Sequence, residues 1–384
     1  MLFDLITRIT EKVRPYADLL ILAGMLGIAL TTWRRWRHDR ARWTNPPIPM
    51  LTSADEWPRQ PQVSVLVAAW NEAENIERHL RSFLELDYLH KELVLCAGGP
   101  DGTYDLARRW AGPQVTVLEQ QPGEGKQRAL QHCLTQAQGT TILLTDADCE
   151  FSDEAFIRLL EPLAQRDAQV VTGVSQPRTD QQDNPLVQYQ WFGDLWWSYR
   201  MPPTVDGVLG RNCALRRDVL TAIGEFKTPV RTGTDYYLSR LLVQGGYTIH
   251  AAPHSRIATE YPATPRAYLR MWRRWNKNLI IHGLNFRAWK DVRGIASALA
   301  LYGSILLLVF LSPFLGPIAL EMGALLFGIA IANRLYRLAI GARLAGKQLS
   351  WQNVLGLPLY TCLDMMAAFL AVRDSATTQR RGRW

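Results

Sequence analysis

The two carboxylates of Thr145-Asp146-Ala147-Asp148 are the residues best suited to chemistry. They follow Thr141-Ile142-Leu143-Leu144-Thr145, an uncharged run with the composition of a buried strand. If the chain stays extended, residues two apart share one side of the strand end. Paired carboxylates repel unless a cation stands near them, and a hard divalent cation bridged to a diphosphate resolves that repulsion. Mn2+ or Mg2+ fits this role, and either would offset charge growing on a departing nucleoside diphosphate. Asp148 is the expected principal metal ligand, with Asp146 on the metal or on the nucleotide ribose. The motif alone has little specificity, since two acids after a strand also make an ordinary solvated turn. Its place in the chain carries the argument.

That place is the fourth strand of an alternating pattern. Val63-Ser64-Val65-Leu66-Val67-Ala68-Ala69 reads as a first strand, and Asn71 to Glu77 opens a helix with Ile76, Leu80, Phe83 and Leu84 on related faces. Leu93 to Cys96 is a second strand ended by Gly98-Gly99-Pro100-Asp101-Gly102. A helix from about 103 to 110, a strand over Val115 to Leu118 and a helix over 124–137 follow. Apolar strands alternating with amphipathic helices predict an α/β domain, a mainly parallel sheet flanked by helices. Such sheets bind ligands beyond the carboxyl ends of their strands. The rule points to Ala69–Glu72, Cys96–Asp101 and Asp146–Asp148.

Both ends of the chain are apolar. Tyr16 to Trp33 has a length at the short edge of a membrane span, and five arginines between Arg34 and Arg42 follow it beside Trp33, Trp36 and Trp43. Gly294 to Asn333 contains no Lys or Arg and one acid, Glu321, with Pro313 and Pro317 near its middle. Two spans, 295–312 and 315–333, are expected, and a third over 354–372 carries Asp364, which must then face protein or a cavity. Arg334, Arg337, Arg343 and Lys347 mark a cytoplasmic connection, with Arg337 to Leu349 a candidate interfacial segment. The arginines place residues 34–290 in the cytoplasm, whereas Arg380, Arg381 and Arg383 run against the tendency for a tail on the far side. In a 384-residue chain of net charge +8, the basic residues concentrate beside apolar stretches, which argues for a membrane and against nucleic acid. The five cysteines form no CxxC pair and no disulfide or metal framework readable from spacing.

Taken together, these motifs resemble the membrane-bound family 2 glycosyltransferases of GT-A fold, over roughly residues 60–285 and the flanking spans. The resemblance rests on the strand and Asn71-Glu72 turn, Gly123-Glu124-Gly125-Lys126, the DxD at Asp146–Asp148, Thr234-Asp235-Tyr236-Tyr237-Leu238, and Met271-Trp272-Arg273-Arg274-Trp275 in place of a QxxRW box. It implies Asp235 as general base and Lys126 as a phosphate contact. Asn71, Glu72 and Asp101 fall on the donor side, while Gly210 and Arg211, in Gly207 to Cys213, meet the donor or acceptor sugar. Arg274 and Trp275 combine diphosphate attraction with an aromatic platform for sugar or lipid. As an alternative, the same basic and aromatic helix rests on anionic lipid. Two positions depart from the family pattern. Cys96-Ala97 stands where relatives carry acids, one of which contacts the base, and Met271 stands where Gln is usual.

The resemblance implies an inverting glycosyltransferase that moves a sugar from a nucleotide-sugar donor, a UDP-sugar by family, to a lipid or lipid-linked acceptor. The alternatives are a processive polysaccharide synthase with an export channel and a non-catalytic binding protein for nucleotide sugar or lipid. The expected layout is a membrane anchor and basic flank (1–43), a linker (44–60), a cytoplasmic catalytic domain (61–265), interfacial helices (266–293), membrane spans (294–373) and a basic tail (374–384). The expected location is a bacterial-type plasma membrane.

Overall fold

A computed structural model describes residues 2–43, 53–228, 230 and 232–380. The first half of the expected linker and the end of the basic tail lie outside the described residues. In chain order the elements are α1 (Leu2–Trp43), β1 (Val63–Trp70), α2 (Ile76–Leu84), β2 (Lys91–Gly98), α3 (Thr103–Ala107), β3 (Val115–Glu119), α4 (Gly125–Gln136), β4 (Thr141–Asp146), α5 (Asp153–Gln165) and β5 (Val170–Pro177). They continue with α6 (Pro185–Tyr199), β6 (Thr204–Val205), β7 (Cys213–Arg216), α7 (Arg217–Ala222), α8 (Thr234–Gln244), β8 (Ile249–Thr259), α9 (Pro265–Asn285), α10 (Trp289–Leu315), α11 (Pro317–Leu344) and α12 (Trp351–Arg380). These fall into two compact units, one within Met1–Ile48 and Thr264–Thr377, the other within Pro49–Ala263.

The α/β unit is built on a sheet of order β3-β2-β1-β4-β7-β5-β8-β6. β1 pairs in parallel with β2 and β4, β2 with β3, and β5 with β8; β7 runs antiparallel between β4 and β5. The sheet is thus mixed but mainly parallel. Strands covered on both faces must be apolar on both, and β1 obeys this. Val63, Val65 and Val67 pack with Leu80, Phe83 and Leu160 on one face, while Leu66 packs with Leu130, Ile142 and Leu242 on the other. Trp57 joins the first face, its ring 6.2 Å from that of Tyr88. Helix starts follow local chemistry: the Ser152 hydroxyl accepts from the Ala155 N–H, and the Asn184 side chain accepts from Leu186 and Val187 ahead of α6.

In the other unit, α10, α11 and α12 include three stretches long and apolar enough to cross a membrane: Trp289–Leu315, Pro317–Leu344 and Trp351–Thr377, each holding an 18-residue window of mean hydropathy 2.2, 1.6 and 1.7 respectively. Leu307, Phe310 and Phe314 stand exposed on α10, as lipid-facing side chains do. The break between α10 and α11 falls at Gly316, with φ 72°, and Pro317 then starts α11. Pro313 stays inside α10. Of the candidate interfacial segment Arg337 to Leu349, the part up to Leu344 continues α11, with Leu338, Ile340 and Ala342 buried. Asp364 on α12 faces protein: Arg334 donates to it at 2.6 Å and the Tyr268 hydroxyl at 2.5 Å, while a second Arg334 bond reaches the Tyr302 oxygen at 2.7 Å. The N-terminal span expected over 16–33 lies inside the single helix α1, which runs on through the basic flank.

Candidate active site

The site is built at the carboxyl end of β4. Extended structure stops at Asp146, and a turn follows, closed by the Cys149 N–H on the Asp146 carbonyl at 3.1 Å. Asp146 and Asp148 are therefore gathered by a turn rather than by the strand side assumed from their spacing. Lys126, in the first turn of α4, donates to Asp146 Oδ1, and Arg211 Nε lies 3.9 Å from Asp146 Oδ2. Asp148 Oδ2 accepts from the Thr259 hydroxyl at 3.1 Å, and Arg211 donates to the same hydroxyl oxygen at 3.2 Å. Thr259 ends β8, so the two carboxylates, the arginine and two strand ends meet at one point.

The electrostatics follow from that crowding. Loss of water raises the Asp148 carboxyl above its usual range; Arg211 opposes the rise and Asp146 adds to it. Desolvation works against the Arg211 guanidinium, but Asp148 and Asp146 outweigh it and hold the charge firmly in place. The Lys126 ammonium is likewise disfavoured by desolvation and held above its ordinary value by Asp146, with Asp235 adding to the effect. The donor set of Asp146 and Asp148 is entirely carboxylate oxygen, with like charges beside each other. It suits a hard cation of the Mg2+ or Mn2+ class.

Asp235 stands in the first turn of α8, whose start is turned by Gly233 at φ 72°. Its Oδ1 accepts from the Tyr236 N–H at 2.9 Å, and the side chain is exposed. The loop before β7 reaches it through Gly210. A Cβ on Gly210 would lie 2.6 Å from the Asp235 Cβ, closer than side-chain carbons approach. The loop is pinned on both sides of this contact. Val208 N–H donates to Ser239 Oγ at 2.9 Å, and the buried Asn212 amide donates to Val174 O at 2.9 Å and Ser255 O at 3.0 Å. Gly210 thus abuts Asp235, while its neighbour Arg211 turns to the acid pair.

Asn71 and Glu72 leave β1 on the same side of the sheet. Asn71 takes a left-handed φ of 60° and donates its N–H to Gly98 O at 3.1 Å. Glu72 accepts from the Asn75 amide at 3.0 Å. Burial pushes the Glu72 carboxyl up to about 6, against the Asn75 bond and with help from Asp148, Asp146 and Glu260. Asp101 lies in the loop after β2 and braces its neighbours. Its Oδ2 accepts from Ala73 N–H at 3.0 Å, and its Oδ1 accepts from the Thr103 N–H at 3.1 Å and hydroxyl at 2.7 Å. Both oxygens tie the β1 and β2 loops together.

Arg274 and Trp275 lie on α9, in the other unit, where the Trp272 and Trp275 rings stand 5.4 Å apart edge to face. Arg273 beside them pairs with Asp374. Sequence reading missed three residues of the α/β site. Thr259 bridges Asp148 and Arg211 from positions 111 and 48 residues further along the chain. His79, fully buried, meets the Cys149 carbonyl at 2.7 Å and braces the acid turn. Gln120, just beyond β3, is 5% exposed, and its Oε1 is buried without a hydrogen-bond partner among the described residues. It borders Gly98, where a Cβ would meet Gln120 O at 2.4 Å and the Trp70 ring at 2.9 Å. No local pattern marks Thr259 or His79, because each acts through a long-range contact, and nothing in the sequence around Gln120 shows that its side chain is buried.

The sequence of residues 64–223 matches the family model described as glycosyl transferase family 2. Glycosyltransferase AglE of Haloferax volcanii is 24% identical over 216 residues, covering 53% of this chain and 68% of AglE. EpsE of Bacillus subtilis (strain 168) is 30% identical over 105 residues, 26% of this chain and 36% of EpsE. Among solved structures, the mannosyltransferase PcManGT from Pyrobaculum calidifontis, in complex with GDP-Man and Mn2+, superposes with a TM-score of 0.54 at 21% identity. That match covers 94% of this chain and 97% of PcManGT, and it supports the GT-A type of fold. The acid pair beyond the fourth strand falls inside the matched residues 64–223, and the three apolar helices lie after them.

Proposed function

We propose that the protein transfers a sugar from a nucleotide-sugar donor to a lipid or lipid-linked acceptor, with inversion at the anomeric carbon, at the cytoplasmic face of a membrane. One observation carries this reading: Lys126 and Arg211 converge on Asp146, Arg211 shares the Thr259 hydroxyl with Asp148, and Asp235 sits against Gly210, the residue next to Arg211. Two cations and two acids on one side suit a diphosphate leaving group, and an exposed carboxylate on the other suits an incoming hydroxyl.

In this reading Asp148, with Asp146, holds a divalent cation, which when bound neutralises charge on the departing nucleoside diphosphate. Lys126 and Arg211 add fixed positive charge beside it. Asp235 takes the proton of the acceptor hydroxyl as that oxygen attacks the anomeric carbon. The bond to the diphosphate breaks on the opposite face, so a single displacement inverts the centre. Asn71 and Glu72 border the donor, and Asp101 holds the two loops that shape it. Arg274 and Trp275 serve the acceptor through phosphate attraction and an aromatic surface. The family resemblance favours a UDP-sugar, and the GDP-Man bound by PcManGT makes guanine donors the second class to test.

The three apolar helices support membrane attachment. We assign α1 as a further crossing, with the arginines from Arg34 to Arg42 on the cytoplasmic side. A donor-by-acceptor screen on the purified chain, with and without Mn2+ or Mg2+, tests the whole reading. The expected result is cation-dependent transfer whose product has inverted configuration by NMR. Retention of configuration, or full activity in excess chelator, overturns it.

A further inference from the structure

Away from the acid pair, the fold assembles a second set of ligating side chains that spacing in the sequence did not reveal. Cys96 on β2, Glu124 immediately before α4 and His132 on α4 each present one donor atom, and these three atoms lie within 4.8 Å of one another. Glu124 Oε2 accepts from the Gln121 N–H at 2.9 Å, which leaves Oε1 directed to His132 Nδ1 at 3.9 Å. Cys96 is fully buried at the floor of the group, in the same apolar cluster as Cys133, whose thiol donates to Val67 O at 3.4 Å. Glu124 is 14% exposed and His132 44% exposed, so the cluster opens to solvent on one side.

The donor types decide the ligand class. One sulfur, one imidazole nitrogen and one carboxylate oxygen suit a borderline-soft divalent ion and contrast with the all-oxygen pair at Asp146 and Asp148. Zinc bonds of about 2.0–2.3 Å place tetrahedral donors roughly 3.3–3.8 Å apart. Closing from 4.8 Å therefore needs a shift of about 1 Å, which the half-exposed imidazole and the long Glu124 side chain can make against a fixed strand thiol. Three protein ligands also leave a fourth position open. We propose that Cys96, Glu124 and His132 form a binding site for a thiophilic divalent cation of the zinc class. Occupancy would fix Glu124 and with it the Gly123–Gly125 turn that leads into Lys126. The site does not rest on the transfer reaction.

Cobalt reports such a site directly, because a Co2+–thiolate bond gives a near-ultraviolet charge-transfer band that oxygen ligands do not. The tag-free, reduced, full-length protein in detergent would be titrated with Co2+ and then with Zn2+. The expected result is a saturable band that Zn2+ abolishes, retained in Asp148→Asn and lost in Cys96→Ser. His132→Gln, a change at a half-exposed position, is expected to weaken Co2+ affinity by at least about 10- to 100-fold, the loss that removal of even an outer-shell partner causes. Circular dichroism and melting of each variant separate loss of metal from loss of fold. Absence of the band in the reduced wild-type protein overturns the proposal. So does a band that persists in Cys96→Ser, or an unchanged affinity in well-folded His132→Gln, which would leave Glu124 and His132 as a surface ion pair above a buried thiol.

Discussion

Replacing Gly210 by alanine probes the position of the proposed base without touching its chemistry. The added methyl would begin 2.6 Å from Asp235 Cβ, 3.4 Å from Cγ and 3.5 Å from Oδ2. Ordinary carbon contacts lie at about 3.5–4.0 Å, so loop and helix must separate by roughly 1 Å. Neither side yields easily. The loop is held by Val208 and Asn212, and Asp235 Cβ is fixed to the backbone of α8. Overpacking of this kind costs about 1–3 kcal/mol of stability. A 1 Å displacement of a reacting group lowers turnover by up to about 100-fold. Gly210→Ala should therefore lose roughly 10- to 100-fold in kcat, while the donor KM changes by less than about 3-fold. Gly207→Ala is the matched control, because its Cβ would meet Ser239 Oγ at 3.6 Å, an ordinary contact. The assay is initial-rate transfer at saturating donor, with melting temperatures to confirm folding. A folded Gly210→Ala protein with wild-type kcat would refute the reasoning that places Asp235 at the reacting centre.

Acid stability should report His79. Burial lowers this imidazole from 6.5 to about 4, so the unfolded chain takes up a proton in that window and the folded chain does not. Stability present above pH 6.5 is lost as pH falls toward 4, by about 3 kcal/mol, and His79→Gln should flatten that part of the melting-temperature profile. In the helical unit, Asp364→Ala strands Arg334 without its carboxylate and should cost about 3–5 kcal/mol, whereas Arg334→Leu with Asp364→Leu costs less; thermal melting in detergent compares them. Gln120→Leu removes a buried amide oxygen that has no hydrogen-bond partner among the described residues, so melting should hardly change. If that oxygen meets the donor nucleotide, donor KM should rise by about 5- to 10-fold, as loss of one hydrogen bond of about 1–1.5 kcal/mol implies.

The first half of the α/β unit was legible because β1, β2 and β4 are buried on both faces and the edge strand β3 is short and free of charge up to Leu118. Val63 to Ala69, Leu93 to Cys96, Val115 to Leu118 and Thr141 to Thr145 are runs without charge, and all four lie in strands. The second half obeys a different rule. β7 has four residues and runs antiparallel between β4 and β5, held there by partners distant in sequence. A strand so short shows no period of its own. Much the same holds for the site. Asp146 and Asp148 were readable from type and setting and Lys126 from the family resemblance, and the structure brings Lys126 to Asp146. The turn that joins the acids, the Thr259 bridge and the structural task of Asp101 depend on contacts that only the folded chain creates. Cys96, Glu124 and His132 illustrate the same limit, since no spacing rule links a strand residue to two positions eight apart on and before a helix.

Asp235→Asn offers the most direct test, because it preserves shape and hydrogen bonding while removing the proton acceptor. Donor affinity and single-turnover transfer would be measured together in the wild-type and variant proteins with saturating Mn2+ or Mg2+. The account predicts donor binding within a few-fold of wild type and transfer reduced by at least about 100-fold, the contribution expected of a positioned general base. Transfer at the wild-type rate in a variant that still binds donor would contradict it.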